Sequence, residues 1–220
     1  MRLAILFSGG KDSTYAALLA KRAGHELSYF VTVESANPDS FMWHTAAIEL
    51  TRLQAKAASI PLVVVKTSGE KENEMKELKT ALAKLDVDGV IVGAVASNYQ
   101  RDRVQKLCDE LGLELVAPLW GKEPEKMLRE MLAEKFEIIF TAVATAGLDK
   151  SWLGTKLDEH AIDELVALNK KYGIHISGEG GEYETAVLAC PLFSKKISVT
   201  GTPDWKSDSG KFKIVKASIS

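Results

Sequence analysis

The chain has 220 residues, of which 46% are hydrophobic and 26% charged, and its formal net charge is −2. That length buries one substantial core with a smaller appended part, and the charge lacks the basic excess of a protein built to neutralise nucleic-acid phosphates. No stretch approaches the roughly 20 apolar residues that span a bilayer. The opening MRLAILF is too short for a signal-peptide core. Cys108 and Cys190 form no CxxC pair, which excludes a disulfide framework and a zinc ribbon. The expectation is a cytoplasmic protein with buried thiols and neither a nucleic-acid nor a membrane partner.

In chain order, short apolar runs alternate with helical patterns. Leu3 to Phe7 reads as a buried strand and Ser13 to Arg22 as a helix. A strand over Leu27 to Val33 and a helix over His44 to Ala58 follow. Pro61 to Val65 is a third strand, and Lys71 to Leu85 a charged helix with a solvated face. Gly89 to Val92 gives a fourth strand, Asn98 to Leu111 a helix, and Leu113 to Val116 a fifth strand. Continuous apolar strands separated by helices predict an α/β fold with a doubly wound parallel sheet. Beyond Pro118 the pattern changes. A helix is expected over Lys122 to Glu134 and a strand over Ile138 to Val143. A further helix runs from an Asp158 cap towards Gly173. Short strands are read at Glu184 to Leu188, Lys195 to Thr200 and Lys211 to Ser218. The division is therefore 1–120, a nucleotide-binding part, and 121–220, a smaller α+β substrate-binding part.

The most informative stretch is LAILFSGGKDSTYAALLA. A strand runs into a Gly-Gly turn and then a helix, which gathers backbone N–H groups at the positive end of a helix dipole and suits an anion. Ser8 and Ser13 supply hydroxyl donors, Gly9 and Gly10 the turn, and Lys11 a compact charge. A carboxylate beside phosphates needs an intervening cation, so Asp12 is assigned to Mg²⁺. The loop lacks the Walker A spacing. SGGKDS resembles the pyrophosphate-binding loop of the N-type ATP pyrophosphatases, which cleave ATP between the α and β phosphates.

Over nearly the whole chain the sequence further resembles the diphthine–ammonia ligase family. The motifs are SGGKDS at 8–13, MWHT at 42–45, GAVASNYQRDRV at 93–104, PLW at 118–120, AGLDKSWLG at 146–154 and GEGGEYET at 178–185. The resemblance implies ATP-dependent amidation, with ammonia, of diphthine, a modified histidine of translation elongation factor 2. An acyl-adenylate is formed and AMP and pyrophosphate are released. ATP and Mg²⁺ are the implied cofactors, and the diphthine-bearing factor and ammonium the partners; a homodimer is left open. Absence of a fused domain after residue 220 suits an archaeal source, and a low Asn and Gln content is compatible with a thermophile. The alternatives are another N-type ATP pyrophosphatase acting on a tRNA or small carboxylic acid, and a non-catalytic nucleotide sensor.

Site assignments follow from these motifs. Lys11, Asp12, Glu182 and Glu184 are expected to be catalytic. Ser8, Gly9, Gly10, Lys11, Asp12, Ser13, His44 and Gly93 are expected at the nucleotide, and Tyr99, Gln100 and Arg103 at the substrate. So are Glu179, Gly180, Gly181, Glu182, Tyr183, Glu184 and Thr185. Three carboxylates in one glycine-rich loop repel one another unless cations offset them, for which the trimethylammonium of diphthine, ammonium or Mg²⁺ would serve. Tyr183 would add an aromatic face for the quaternary ammonium. One departure stands out: Ala189 occupies a position where the family often has Asp, and nothing is assigned to it. The tryptophans are read as packing residues.

Overall fold

The computed structural model describes residues 1–36, 47–68 and 71–220. Five strands, β1 (Arg2–Leu6), β2 (Glu26–Ser35), β3 (Leu62–Thr67), β4 (Gly89–Ile91) and β5 (Glu114–Val116), form a parallel sheet in the order β3-β2-β1-β4-β5. Between them run the helices α1 (Lys11–Arg22), α2 (Thr51–Ala58, preceded by a 3₁₀ turn at Ile48–Leu50), α3 (Lys71–Leu82) and α4 (Asn98–Leu111). The doubly wound parallel sheet is thus as expected. The period of two along β1 explains both covered faces: Leu3, Ile5 and Phe7 join the core containing α1, while Ala4 and Leu6 join the core containing α3 and α4.

The strand order reverses between β1 and β4. In open α/β sheets such a switch point opens a crevice at the carboxyl ends of the strands, where ligands bind. Both glycine-containing turns singled out in the sequence leave the sheet there.

The rest of the chain builds α5 (Pro124–Ala133), β6 (Glu137–Val143), α6 (Glu159–Tyr172), β7 (Tyr183–Ala189), β8 (Ile197–Lys206) and β9 (Ser209–Ile219). The strands form an antiparallel sheet in the order β7-β6-β9-β8. Ile138 and Phe140 of β6 and Val187 of β7 face a core shared with Leu3 of β1, Phe7 just after it and Tyr15 of α1. Ile139, Ala186 and Leu188 face the opposite way and pack with Leu50 and Ile197. The two sheets therefore share one continuous core. The last hairpin is longer than expected: the strand read as ending at Thr200 continues through Gly201, Pro203 and Asp204 to Lys206. β8 is an edge strand, the position in a sheet that tolerates proline. No helix among the described residues is long and apolar enough to cross a membrane.

Candidate functional site

At the end of β1 the backbone stays tied to β2: Phe7 N–H donates to the Val31 carbonyl (2.8 Å) and the buried Thr32 hydroxyl donates to the Phe7 carbonyl (2.7 Å). The chain then turns through Ser8, Gly9 and Gly10. Gly9 has φ +77°, and a Cβ there would lie 2.1 Å from Gln54 Oε1, so only glycine fits. Its carbonyl accepts from both Gln54 Nε2 (2.8 Å) and Val187 N–H (3.0 Å). Gln54, fully buried on α2, also donates to the Val187 carbonyl (2.9 Å). Within the turn the Ser8 and Ser13 hydroxyls lie 3.2 Å apart, Gly10 N–H donates to Ser8 Oγ (3.3 Å), and Lys11 N–H donates to Thr185 Oγ1 (3.1 Å). The loop is thus held from outside by α2 and β7.

Helix α1 begins at Lys11, two residues before the expected start at Ser13. The Lys11 side chain is only 3% exposed. Its ammonium donates to Asp12 Oδ2 (2.8 Å) and to the Ser177 carbonyl (2.6 Å), and lies 5.0 Å from the centroid of the Tyr183 ring. Asp12 Oδ1 is shielded from solvent and has no hydrogen-bond partner among the described residues. An unpaired carboxylate oxygen in a partly buried site is costly unless something binds it.

The turn after β4 meets this loop directly. A Cβ on Gly93 would come within 2.7 Å of Ser13 N and 2.8 Å of the Asp12 carbonyl carbon, so Gly93 permits the close approach of two backbones. The structure thus gives it a packing role at the position read as nucleotide-binding. Ser97 caps α4 by accepting from Gln100 N–H. One turn on, the Arg103 guanidinium lies 4.6 Å from the centroid of the Tyr99 ring, which is 44% exposed. Arg103 Nη1 is shielded and unpartnered among the described residues.

In the GEGGEYET segment, backbone N–H groups, where the sequence suggests cations, meet two of the carboxylates. Glu179 accepts from Val95, Ala96 and Ser97 N–H (3.1, 3.2 and 2.9 Å). Glu182 accepts from His175 and Gly180 N–H, both at 2.8 Å. Gly181 has φ +84°, which the tight turn requires. Glu184 is half-buried in β7 opposite Ala142. Tyr183 departs from the reading as an aromatic face for a ligand. It is 2% exposed, its hydroxyl donates to the Ile176 carbonyl (2.6 Å), and burial pushes its phenol well above the ordinary range. Its ring neighbours Lys11, a cation of the chain itself.

The structure therefore joins Ser8, Gly9, Gly10, Lys11, Asp12, Ser13, Gly93, Tyr183 and Thr185 by direct contact. Glu179, Gly180, Gly181 and Glu182 belong to the adjoining loop. Tyr99, Gln100 and Arg103 follow on α4. His44, with the rest of MWHT, lies outside the described residues. Sequence reading missed Gln54 and Ser177. Gln54 left a signal, being an uncharged polar residue on the same helical face as Thr51 and Ala55. Ser177 acts through its backbone carbonyl, which no side-chain pattern reports.

Residues 1–115 match a family model described as the diphthamide synthase N-terminal domain, and residues 123–219 match one described as the diphthamide synthase C-terminal domain. A relative from Rattus norvegicus named diphthine–ammonia ligase is 40% identical over 222 residues, which cover 90% of this chain and 83% of the relative. Relatives of the same name from Homo sapiens (39% identical, 90% and 83% covered) and Danio rerio (37% identical, 92% and 88% covered) are similarly close. A solved structure described as a predicted subunit of tRNA methyltransferase from Methanocaldococcus jannaschii aligns over 87% of this chain and 98% of that chain. Its TM-score is 0.46 and its identity 18%.

Proposed function

This chain belongs to the diphthamide synthase family, and from that premise we propose how its site carries out the ATP-dependent amidation of diphthine. The activity is that of a diphthine–ammonia ligase. A carboxylate oxygen of diphthine attacks the α-phosphorus of ATP, the bond to the β-phosphate oxygen breaks, and pyrophosphate leaves. The ammonia lone pair then attacks the acyl carbon, the bond to AMP breaks, and the added nitrogen gives up a proton. A carboxylate is a poor acyl donor, whereas its adenylate carries a good leaving group. What remains for the protein is to bind phosphate charge, hold the reactants together and exclude water.

One observation carries this reading: the Lys11 ammonium lies between Asp12 of the glycine loop and the Ser177 carbonyl of the GEGGEYET approach. The segment suited to phosphate and the segment carrying the family's acidic motif thus meet at one side chain. Lys11, with Ser8, Gly9, Gly10 and Ser13, is proposed to hold the phosphates. Tyr99, Gln100, Arg103 and Glu184 are proposed to face substrate, and His44 the nucleotide. The parts 1–120 and 121–220 are proposed to handle nucleotide and substrate respectively. The protein substrate is proposed to be translation elongation factor 2, met in the cytoplasm.

Mg²⁺ is proposed to accompany ATP. The unpartnered Asp12 Oδ1 fits it, because Mg²⁺ is commonly held by one or two carboxylates together with substrate phosphates. Bound there it would offset charge on the departing pyrophosphate. Among the described residues no group of three or more His, Cys, Asp or Glu gathers to form a protein-only metal cage.

The test is AMP and pyrophosphate release from Mg²⁺-ATP and ammonium, with diphthine-bearing elongation factor 2 or the unmodified factor. Release is expected only with diphthine, with acid-to-amide conversion seen by mass spectrometry. Equal release with both factors would overturn the substrate assignment.

A further inference from the structure

Glu179 makes a set of contacts that the reaction outlined above does not use. One carboxylate oxygen accepts from Val95 N–H and the other from Ala96 and Ser97 N–H. These are three consecutive amides between β4 and the first turn of α4, a 14-residue helix. Consecutive N–H groups leading into a helix form a concave anion site, and hydrogen bonds to a charged acceptor are roughly twice as strong as neutral ones. The contact joins positions 82 to 84 residues apart. Three hydrogen bonds thus tie the GEGGEYET segment to the β4–α4 turn.

What this tie holds is a compact loop. Glu182 closes it by accepting from His175 and Gly180, Gly178 N–H donates to the His175 carbonyl (2.9 Å), and Tyr183 Oη donates to Ile176. Ser177, two residues before Glu179, presents its carbonyl to Lys11 Nζ at 2.6 Å. The other side of the β4–α4 turn rests on the first turn of α1 through Gly93. Fixing the loop against the start of α4 therefore fixes Lys11 from both directions.

We propose that Glu179 is a positioning residue: by clamping its loop onto the Val95–Ser97 amides it sets the Ser177 carbonyl, and through it the Lys11 ammonium, at the phosphate loop. The catalytic consequence rests on the ligase reading, whereas the clamp itself does not. A misplacement of about 1 Å can cost about a hundredfold in rate, so a residue that never touches substrate can still govern turnover.

The experiment uses the full chain with Glu179→Gln and Glu179→Asp, and Asp158→Ala as a control that loses a helix cap away from the site. Glu179→Gln is expected to lower kcat for diphthine-dependent AMP release by about ten- to a hundredfold. Its KM for ATP should stay within about twofold. Glu179→Asp, which keeps the charge, should recover part of the loss, and Asp158→Ala should leave kcat unchanged. Amide hydrogen exchange gives a readout that needs no turnover. In Glu179→Gln the Val95–Ser97 amides should exchange at least about tenfold faster, while in the parent chain ATP should leave their protection intact. Wild-type kcat in Glu179→Gln, or unchanged exchange there, would overturn the proposal. So would faster exchange in the parent chain on adding ATP, because phosphate would then be displacing Glu179. Should the parent chain show no diphthine-dependent release, the ligase reading fails and the exchange arm alone decides the clamp.

Discussion

Lys11 and Asp12 are neighbours in sequence, yet the fold treats them differently. The lysine is enclosed and donates to two acceptors, whereas one oxygen of the aspartate is shielded with no partner among the described residues. A buried ammonium is tolerated only with such partners. Lys11→Met should therefore keep the packed stem but lower AMP release by about 10²–10³-fold, the scale seen when one oriented donor to developing charge is removed. Steady-state kinetics beside a thermal melt would check this, and an active variant would remove Lys11 from the chemistry. Gly93→Ala forces a methyl against the backbone of Asp12 and Ser13. It should cost about 1–3 kcal/mol in denaturant unfolding. The thiols are legible at this scale too. Burial pushes Cys108 and Cys190 up to about 11 each, so neither should react with a thiol reagent near neutral pH until denaturant is added.

Helix ends were readable because their capping chemistry is local. Asp158 accepts from Ala161 N–H at 2.9 Å and Gly173 takes the left-handed conformation, φ +72°, as the sequence indicates. Asp158→Ala should cost about 1 kcal/mol, which in a chain this long lowers Tm by about 2–4 °C. Ion pairs that depress carboxyl values set the acid limit. Lys196, then Lys156, hold Glu137 below the usual carboxylate range, and Lys122, with the Tyr15 hydroxyl, does the same for Glu130. A carboxyl whose folded value is depressed contributes stability that is present above its unfolded value, about 4.3. That stability is lost as pH falls through the folded value. Melts should therefore be flat from neutrality to about pH 5 and fall below it, with a shallower fall in Glu137→Gln. The opposite sign holds for Tyr15, pushed up to about 12, chiefly by burial and then by its bond to Glu130. Its contribution is complete below about 10 and is lost as pH rises towards about 12.

Across the whole molecule, the shared core is the deciding feature. Leu3, Ile5, Phe7 and Tyr15 pack in one cluster with Met127, Met131, Phe136, Ile138 and Phe140. Residues 1–120 alone would expose that face, at about 25 cal/mol per Å² of apolar surface returned to water. The full chain should unfold in one transition by both calorimetry and fluorescence. The 1–120 fragment should bind a hydrophobic dye and show no cooperative melt. Two separate transitions in the full chain would show that the shared core does not couple the halves.

The sequence by itself determined the parallel sheet, the strand–turn–helix setting of SGGKDS and the helix caps, because each depends on residues close together in the chain. It also carried the family resemblance, through motifs that stay contiguous. Tertiary structure decided what those motifs touch. Carboxylates in GEGGEYET suggest mutual repulsion when read alone, but Glu179 finds its donors at Val95–Ser97, more than 80 residues away. Gly93 resembles a ligand-binding glycine until α1 is packed against it. Gln54 and Ser177 were invisible for the same reason: a buried amide or a main-chain carbonyl takes on a role only when a distant segment supplies its partner.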